Sequence, residues 1–165
     1  MKKIKASDIM SKNLVSIVPG STVSEAAELM RKNNVGILPV VSAGELKGMV
    51  TDRDMILRCI AGGEDPKQTK AQDVMTTNIA YISPERSVRD ILSLMAAEQV
   101  HRVPVVEDGI LQGIVSMADI ARCCAESGEE SAMAETIEEI SQTPHWQVYG
   151  DQKLREKQER EARRQ

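Results

Sequence analysis

Two short stretches with the same polar spacing are the parts of this sequence best suited to chemistry. Thr51 is followed three residues later by Asp54, and Ser116 is followed three residues later by Asp119. A hydroxyl followed by a carboxylate at this spacing is typical of a helix N-terminus, where unpaired backbone amides and the positive end of the helix dipole attract an anion. Each pair also follows a glycine and two apolar residues, and glycine lets the backbone approach a ligand closely. We therefore interpret both stretches as candidate anion sites.

The two stretches occupy matching positions in an internal repeat. Residues 8–63 align with residues 73–128 at a constant offset of 65 without a gap, and 19 of the 56 aligned positions are identical. Such self-similarity predicts a duplicated supersecondary unit that buries its apolar faces against its twin. The pattern of each copy predicts the order β-α-β-β-α, and hence an α/β (α+β) fold class.

The elements of the first copy position its candidate site. Apolar runs predict a strand at residues 14–18 and a hairpin within residues 37–50, and a capping box at Thr22 opens the first helix. The second helix is expected to begin directly after Thr51. Pro39 and its counterpart in the second copy cannot donate to a ladder, so each is expected near a sheet edge.

Composition limits the partners. The formal net charge is −4 and aromatic residues make up only 2% of the chain, which argues against binding nucleic acid by charge or by base stacking. Neither a signal peptide nor a membrane span is indicated, so the expected location is the cytoplasm with no membrane partner. Cys59, Cys123 and Cys124 do not have metal-ligand spacing, and no metal site is predicted.

The repeat also predicts the domain organisation. The last segment is expected to be partly helical with a polar tail, and Ile137, Ile140 and Trp146 are expected to dock it onto the body or a dimer mate. The predicted divisions are a first unit, a linker, a second unit and a C-terminal extension, at residues 6–63, 64–72, 73–128 and 129–165.

The combined motifs resemble the CBS domain. They are Asp-Ile-Met, Val-Ser-Glu-Ala-Ala-x-Leu-Met, Val-x-x-Leu-Pro-Val-Val and Gly-Met-Val-Thr-Asp-Arg-Asp, and the second copy repeats the pattern. The chain is thus similar to a tandem CBS pair, or Bateman module, of the small freestanding bacterial type. The resemblance covers roughly residues 6–128 and does not extend to the tail.

The resemblance implies a regulatory, non-catalytic fold in which two units pack sheet to sheet with pseudo-twofold symmetry. Many members bind adenosine nucleotides in the two clefts between the units, and most pairs form dimers. By this resemblance Thr51 and Ser116 would contact phosphate, while Asp54 and Asp119 would hold the ribose hydroxyls.

Some family members also use a His-Arg pair for phosphate, which matches His101 and Arg102 in the second copy. Arg102 is the better phosphate ligand because its guanidinium is permanently charged and offers a fork of donors. His101 has the alternative of a partly exposed strand histidine. The first copy has Gly36 and Ile37 at these two positions. Arg53 either replaces the arginine that is missing at position 37 or lies in solvent.

Several of these residues have a purely structural alternative. The four Ser/Thr-x-x-acid boxes of the chain look alike, so helix capping alone would explain the two candidate sites. We favour function for the later box of each copy because both keep Asp, whose short carboxylate fits a vicinal diol. Leu38 and Val103 are expected to line the clefts and sandwich an adenine ring, with ordinary core packing as the alternative.

These observations lead to a functional hypothesis. The chain is expected to be a homodimeric regulatory module that binds AMP, ADP or ATP, requires no cofactor, and signals to an unknown regulated protein. It is not expected to be an enzyme, because no nucleophile and base are spaced to act together. Since only the second copy supplies Arg102, one site should be tighter than the other. The alternative is a ligand-free dimerisation scaffold that acts through its C-terminal extension.

Overall fold

Two β-hairpins, one from each repeat, lie at the centre of the fold. The computed structural model describes residues 4–127, 134, 137 and 138. Each hairpin turns through a glycine in the left-handed region, with φ of 82° at Gly44 and 81° at Gly109, which suits the tight two-residue turn. The four strands are β1 (Ile37–Ser42), β2 (Glu45–Thr51), β3 (Arg102–Glu107) and β4 (Ile110–Ser116).

The hairpins join at their turns into one antiparallel sheet with the strand order β1-β2-β4-β3. The backbone N–H of Leu46 donates to the carbonyl of Gly109, and the N–H of Leu111 donates to the carbonyl of Gly44, both at 3.1 Å. These two bonds relate equivalent residues of the two repeats, as pseudo-twofold symmetry requires. The expected α+β fold class is confirmed.

The helices begin where the sequence predicts. The first long helix follows the capping box at Thr22, and the second helix of the first repeat begins directly after Thr51. That second helix soon widens into a π-helix, in which the N–H of Ala61 bonds the carbonyl of Ile56 at 2.8 Å. The helical elements are α1 (Ala6–Ile9), α2 (Val23–Asn33), α3 (Asp52–Asp54), its π-helical continuation (Met55–Ile60), α4 (Ala71–Val74), α5 (Val88–Glu98) and α6 (Met117–Ser127).

The prolines lie on the two outer strands of the sheet, as expected. Pro39 is in β1 and Pro104 is in β3, and each accepts a hydrogen bond through its carbonyl, from Ile17 and Ile82 respectively, at 3.0 Å. The prediction of a strand at residues 14–18 was wrong. Only Ile17 makes a bridge to β1, because the chain touches the sheet edge at a single residue and then turns away.

Each repeat is completed by a short segment from the start of the other repeat. We call residues 9–11 the first crossing segment and residues 74–76 the second. Thr76 and Met49 exchange two backbone hydrogen bonds of 2.9 and 3.0 Å, and Ser11 and Ile114 exchange two of 2.9 and 3.1 Å. Each crossing segment therefore pairs with the inner strand of the opposite hairpin.

The short helices α1 and α4 contribute to the hydrophobic cores in the same crossed way. Ala6 of α1 is fully buried in the core of the second repeat, whereas Ala71 and Val74 of α4 are buried in the core of the first. The domain boundaries expected from the sequence stay predictions. Of the residues expected to dock the C-terminal extension, Ile137 is helical and 41% exposed, and Ile140 and Trp146 lie outside the described residues.

The glycines before the candidate sites are required by the crossing segments. A Cβ at Gly113 would lie 2.6 Å from Sδ of Met10 and 2.9 Å from the carbonyl oxygen of Ser11. A Cβ at Gly48 would lie 2.5 Å from Sδ of Met75. The sequence interpretation that these glycines let a ligand approach needs correction, because protein atoms already fill the space beside them.

Replacing Gly113 with alanine should destabilise the protein by about 1–3 kcal/mol, because the added methyl group overpacks against the backbone of the first crossing segment. Thermal or denaturant unfolding measures the loss. Gly20→Ala is the matched control, since a Cβ there would meet nothing within 4 Å. Equal stability of the Gly113→Ala variant and the unmodified protein would contradict this role for Gly113.

Candidate functional site

The candidate site of the second repeat lies where β4 passes into α6. One carboxylate oxygen of Asp119 accepts from the backbone N–H of Ser116 at 2.8 Å and from its hydroxyl at 2.5 Å. The Ser116 hydroxyl in turn accepts from the backbone N–H of Asp119 at 3.3 Å. The second oxygen of Asp119 accepts from the guanidinium of Arg122. The carboxylate is therefore fixed at the N-terminus of α6 and only 8% of the residue is exposed.

The sheet register brings a cation to this position. Arg102, the first residue of β3, pairs directly with Ser116, the last residue of β4. Side chains of directly paired antiparallel residues extend from the same face, so Arg102 and Ser116 share one side of the sheet. Arg102 is exposed. His101 precedes the strand, is also exposed, and accepts through its carbonyl from the N–H of Met117 at 2.9 Å.

The first repeat has the same capping geometry with different surroundings. One oxygen of Asp54 accepts from the N–H of Thr51 at 3.1 Å and from its hydroxyl at 2.8 Å. The other oxygen of Asp54 lies 3.4 Å from Nη2 of Arg58. Ile37 occupies the position opposite Thr51 in the register, where the second repeat has Arg102. Only 2% of Asp54 is exposed, so this carboxylate is more enclosed than its counterpart.

The two residues expected to line the clefts belong to the hydrophobic cores. Leu38 and Val103 are fully buried and belong to the two core clusters. In the ladder they pair with Val50 and Val115, each one residue before a capping hydroxyl. Successive strand residues point to opposite faces, so Leu38 and Val103 face the cores and not the candidate sites. The alternative of ordinary core packing is the one that this structure favours.

Arg53 lies in α3 and is exposed, next to a carboxylate that the sequence interpretation did not consider. The backbone N–H of Arg53 donates to Asp52 at 2.7 Å. Asp52 borders an open groove of about 420 Å³ between α2 and α3, lined by Ala27, Met30, Arg31, Asn34, Val35, Gly36, Asp52 and Met55. This groove lies beside the candidate residues of the first repeat and contains neither Thr51 nor Asp54.

The capping boxes at the other two helices show that this geometry alone does not identify a ligand site. Ser87 and Asp90 make the same three contacts as Ser116 and Asp119, at 2.9, 2.8 and 3.3 Å. Thr22 and Glu25 form a fourth box at α2. At the second candidate site, Arg102 also pairs in the sheet with Ser116, the residue that supplies the capping hydroxyl.

Arg58 and Arg122 are the site residues that sequence reasoning missed. The signal was their position, since Arg58 follows Asp54 by four residues and Arg122 follows Asp119 by three, and such spacings place side chains together on a helix. The Arg58 side chain is 23% exposed and the Arg122 side chain is 70% exposed. The two contacts therefore differ in how strongly water screens them.

Two features are absent from the described residues, a metal-binding cluster and a membrane-spanning helix. Within residues 4–127, 134, 137 and 138, three or more His, Cys, Asp or Glu side chains do not come together as a metal would require. In the same part of the chain, none of the helices is both long and apolar enough to span a membrane.

The fold corresponds to a known class of domain. The family model for the CBS domain matches the chain twice, over residues 6–60 and 71–126. Together these two matches cover more than half of the chain, and they coincide with the two repeats. The chain therefore belongs to the CBS domain family and carries two CBS domains.

Relatives agree with this assignment. The CBS domain-containing protein YhcV of Bacillus subtilis is 44% identical over 114 residues, which cover 69% of this chain and 81% of that protein. Hypoxic response protein 1 of Mycobacterium tuberculosis is 37% identical over 118 residues, which cover 71% of this chain and 82% of that protein. A crystal structure of Hypoxic Response Protein I, with two coordinated zinc ions, superposes with a TM-score of 0.68 over 72% of this chain and 98% of that chain.

A further solved structure contains bound ligands. The CBS domain pair of protein MJ0100, in complex with 5′-methylthioadenosine and S-adenosyl-L-methionine, is 27% identical. It superposes with a TM-score of 0.67 over 76% of this chain and 99% of that chain.

The box at α2 predicts a pH dependence of stability. Hydrogen bonds from the backbone N–H of Thr22, at 2.7 Å, and from its hydroxyl hold the pKa of Glu25 below its ordinary value. A lowered folded-state pKa means that the ionised carboxylate stabilises the fold above the unfolded-state pKa, and that this contribution is lost as the pH falls through the folded-state pKa. The melting temperature of the unmodified protein should exceed that of Glu25→Gln at neutral pH. This difference in melting temperature should disappear as the pH falls through the folded-state pKa of Glu25. A gap that stays constant with pH would contradict this.

Proposed function

We propose that this protein is a regulatory module that binds an adenine nucleotide at its CBS sites and passes the signal to another protein. The observation that carries the proposal is the register of β3 and β4, which aligns Arg102 with Ser116 at the N-terminus of α6. A permanent cation, a hydroxyl and the amide end of an 11-residue helix then lie at one place. Each of these features favours a phosphate group.

Recognition of the nucleoside would use the neighbouring carboxylate. Asp119 is held in place by its capping bonds, and its second oxygen lies beside a mostly exposed arginine. A short, fixed carboxylate is suited to accept hydrogen bonds from the two hydroxyls of a ribose. The adenosine-containing ligands of the MJ0100 pair support the choice of an adenine compound. Zinc has no part in the proposal, because the described residues supply no cluster for it.

The two sites should differ in affinity. The first repeat has Ile37 and Gly36 where the second has Arg102 and His101. A charge-assisted hydrogen bond to phosphate contributes about 1.5–3 kcal/mol, so one missing arginine lowers affinity by roughly one to two decades. The site of the second repeat is therefore the tighter one in this proposal.

The alternative is a dimerisation scaffold that binds no nucleotide. It is favoured by the likeness of all four capping boxes, since three contacts of the same kind occur at Ser87 and Asp90, outside the candidate sites. Thermal shift with AMP, ADP and ATP separates the two functions, because a ligand that binds only the native state must raise the melting temperature. No shift with any adenine nucleotide would favour the scaffold.

Substituting Arg102 with alanine should weaken binding of AMP, ADP or ATP by roughly 10- to 100-fold, because one charge-assisted phosphate contact is lost. Binding of adenosine, which lacks phosphate, should change little. Titration calorimetry measures both. The control is Arg89→Ala, which removes an exposed arginine from α5. Equal losses for adenosine and AMP, or no loss for either, would contradict phosphate contact by Arg102.

We also propose that a second copy of the chain covers part of the first repeat. Ile56, Leu57 and Ile60 in the π-helical segment are 58, 40 and 57% exposed. The corresponding residues of the second repeat are Ala121, Arg122 and Ala125, so the apolar patch is a property of the first repeat. Burying such side chains against an equivalent patch would contribute about 1.5–3 kcal/mol for each. A homodimer with helical contacts follows from this surface.

Ile56→Lys should shift the dimer towards monomer. The lost burial counts twice in a symmetrical dimer, so the dissociation constant should rise by roughly two to four decades. Light scattering across a concentration series measures the change. Val18→Lys is the matched control because Val18 is 57% exposed and lies outside the patch. A monomeric unmodified protein at micromolar concentration, or an equal effect of both variants, would contradict the proposed interface.

A further inference from the structure

The two site carboxylates have equivalent capping bonds but unequal basic partners. Arg58 approaches Asp54 from the π-helical segment with a side chain that is only 23% exposed, whereas Arg122 approaches Asp119 with a side chain that is 70% exposed. An exposed ion pair exchanges readily with water and with an incoming group, because screening makes it weak. A mostly buried guanidinium next to a buried carboxylate is harder to displace.

Arg58 also holds the second crossing segment. Its Nη1 donates to the carbonyl of Val74 at 2.5 Å, and its Nη2 donates to the hydroxyl of Thr76 at 3.1 Å. Thr76 is itself fixed to Met49 of β2 by two backbone hydrogen bonds. The planar guanidinium, with its fixed fork of donors, thus joins the carboxylate of the first site to a segment that leads into the second repeat.

The second repeat is built differently at the same place. The residue equivalent to Arg58 is Cys123, which is buried in the second core. The first crossing segment is fixed to β4 through Ser11 and Ile114, as the second is fixed to β2. The arginine contact of Asp119 comes instead from Arg122, whose side chain projects into solvent. The duplication therefore provides an internal comparison for the effect of Arg58.

We propose that Arg58 is a positioning residue that competes with ligand for Asp54 and ties the occupancy of the first site to the second crossing segment. The proposal rests on the proposed function, with the vicinal diol of a nucleoside as the group that Asp54 would accept. A diol can take the second oxygen of Asp54 only when the guanidinium withdraws. Withdrawal removes the arginine from Val74 and Thr76 as well. Binding at the first site and loosening of residues 74–76 are then coupled, and coupling of this kind is reciprocal.

The competition is tested with adenosine, which carries the diol and no phosphate. In an Asp119→Asn background, which weakens the second site, titration calorimetry should show tighter first-site binding when Arg58 is replaced by alanine. We expect a gain of about tenfold or more, the size of one lost charge-assisted contact. Arg58→Gln keeps an amide donor for Val74 and should give a gain in the same direction. Unchanged or weaker binding in both variants would overturn the competition.

Arg122→Ala provides the comparison at the second site of the otherwise unmodified chain. Its effect on adenosine affinity should be smaller than that of Arg58→Ala at the first site, because its ion pair is exposed. A gain at the second site as large as that at the first would overturn the assignment of a special role to Arg58.

The coupling is tested without ligand by hydrogen exchange at the backbone amide of Thr76, which bonds the carbonyl of Met49. Arg58→Ala and Asp54→Asn should both speed this exchange, whereas Asp119→Asn should not. Acceleration by Arg58→Ala alone would mean that Arg58 only braces the segment, and would overturn the link to the site.

Calorimetry and hydrogen exchange together distinguish a failure of the proposed function from a failure of this inference. If none of the adenine compounds binds any variant while Thr76 still responds to Asp54→Asn, the proposed function and the competition are rejected and the link between Asp54 and the segment is kept. If nucleotide binds the second site but neither adenosine affinity at the first site nor Thr76 exchange responds to Arg58→Ala, the inference alone is overturned.

Discussion

The exchange of crossing segments between the repeats is the constraint on which the rest of the structure depends. Each inner strand receives a two-bond backbone pair from a residue near the start of the opposite repeat, at Met49 and Thr76 in one case and at Ile114 and Ser11 in the other. The close approach needs a glycine beside each strand position. Neither hairpin would have its full core alone. The two helix N-termini that follow these strands are therefore held in a fixed relation to one another.

The candidate sites use atoms that the fold already requires. One oxygen of Asp119 is committed to the cap, which satisfies backbone donors that would otherwise be unpaired. The other oxygen contacts Arg122 and is the one that would accept from a ligand in the proposed function. In the proposed function, one carboxylate therefore serves both the stability of the helix N-terminus and the recognition of the ligand. A capping box alone therefore does not identify a ligand site, and it is the register of Arg102 with Ser116 that supports the proposed function.

The repeat, the hairpins, the helix starts and the edge prolines were predictable because local chemistry dictates them. A glycine in a two-residue turn, or a hydroxyl three residues before a carboxylate, specifies its structure within a few residues. The pairing of residues 74–76 with β2 was not predictable, because it depends on which surface of the first repeat is left uncovered after folding. The same limit explains the error about Gly48, whose neighbour Met75 is distant in sequence. The spacing of Arg58 from Asp54 is visible in the sequence, but the burial of its side chain is visible only in the structure.

The differences between the repeats concentrate at one place in the fold. In the second repeat a cation is added opposite the capping hydroxyl, at Arg102, where an incoming phosphate would meet it. In the first repeat the equivalent position is occupied by the uncharged Ile37. A different cation, Arg58, lies beside the carboxylate of Asp54. The first arrangement adds attraction for an anion, and the second places a partly buried guanidinium 3.4 Å from the second oxygen of Asp54. In the proposed function the second repeat then supplies the site suited to binding, whereas Arg58 joins the carboxylate of the first repeat to the start of the second.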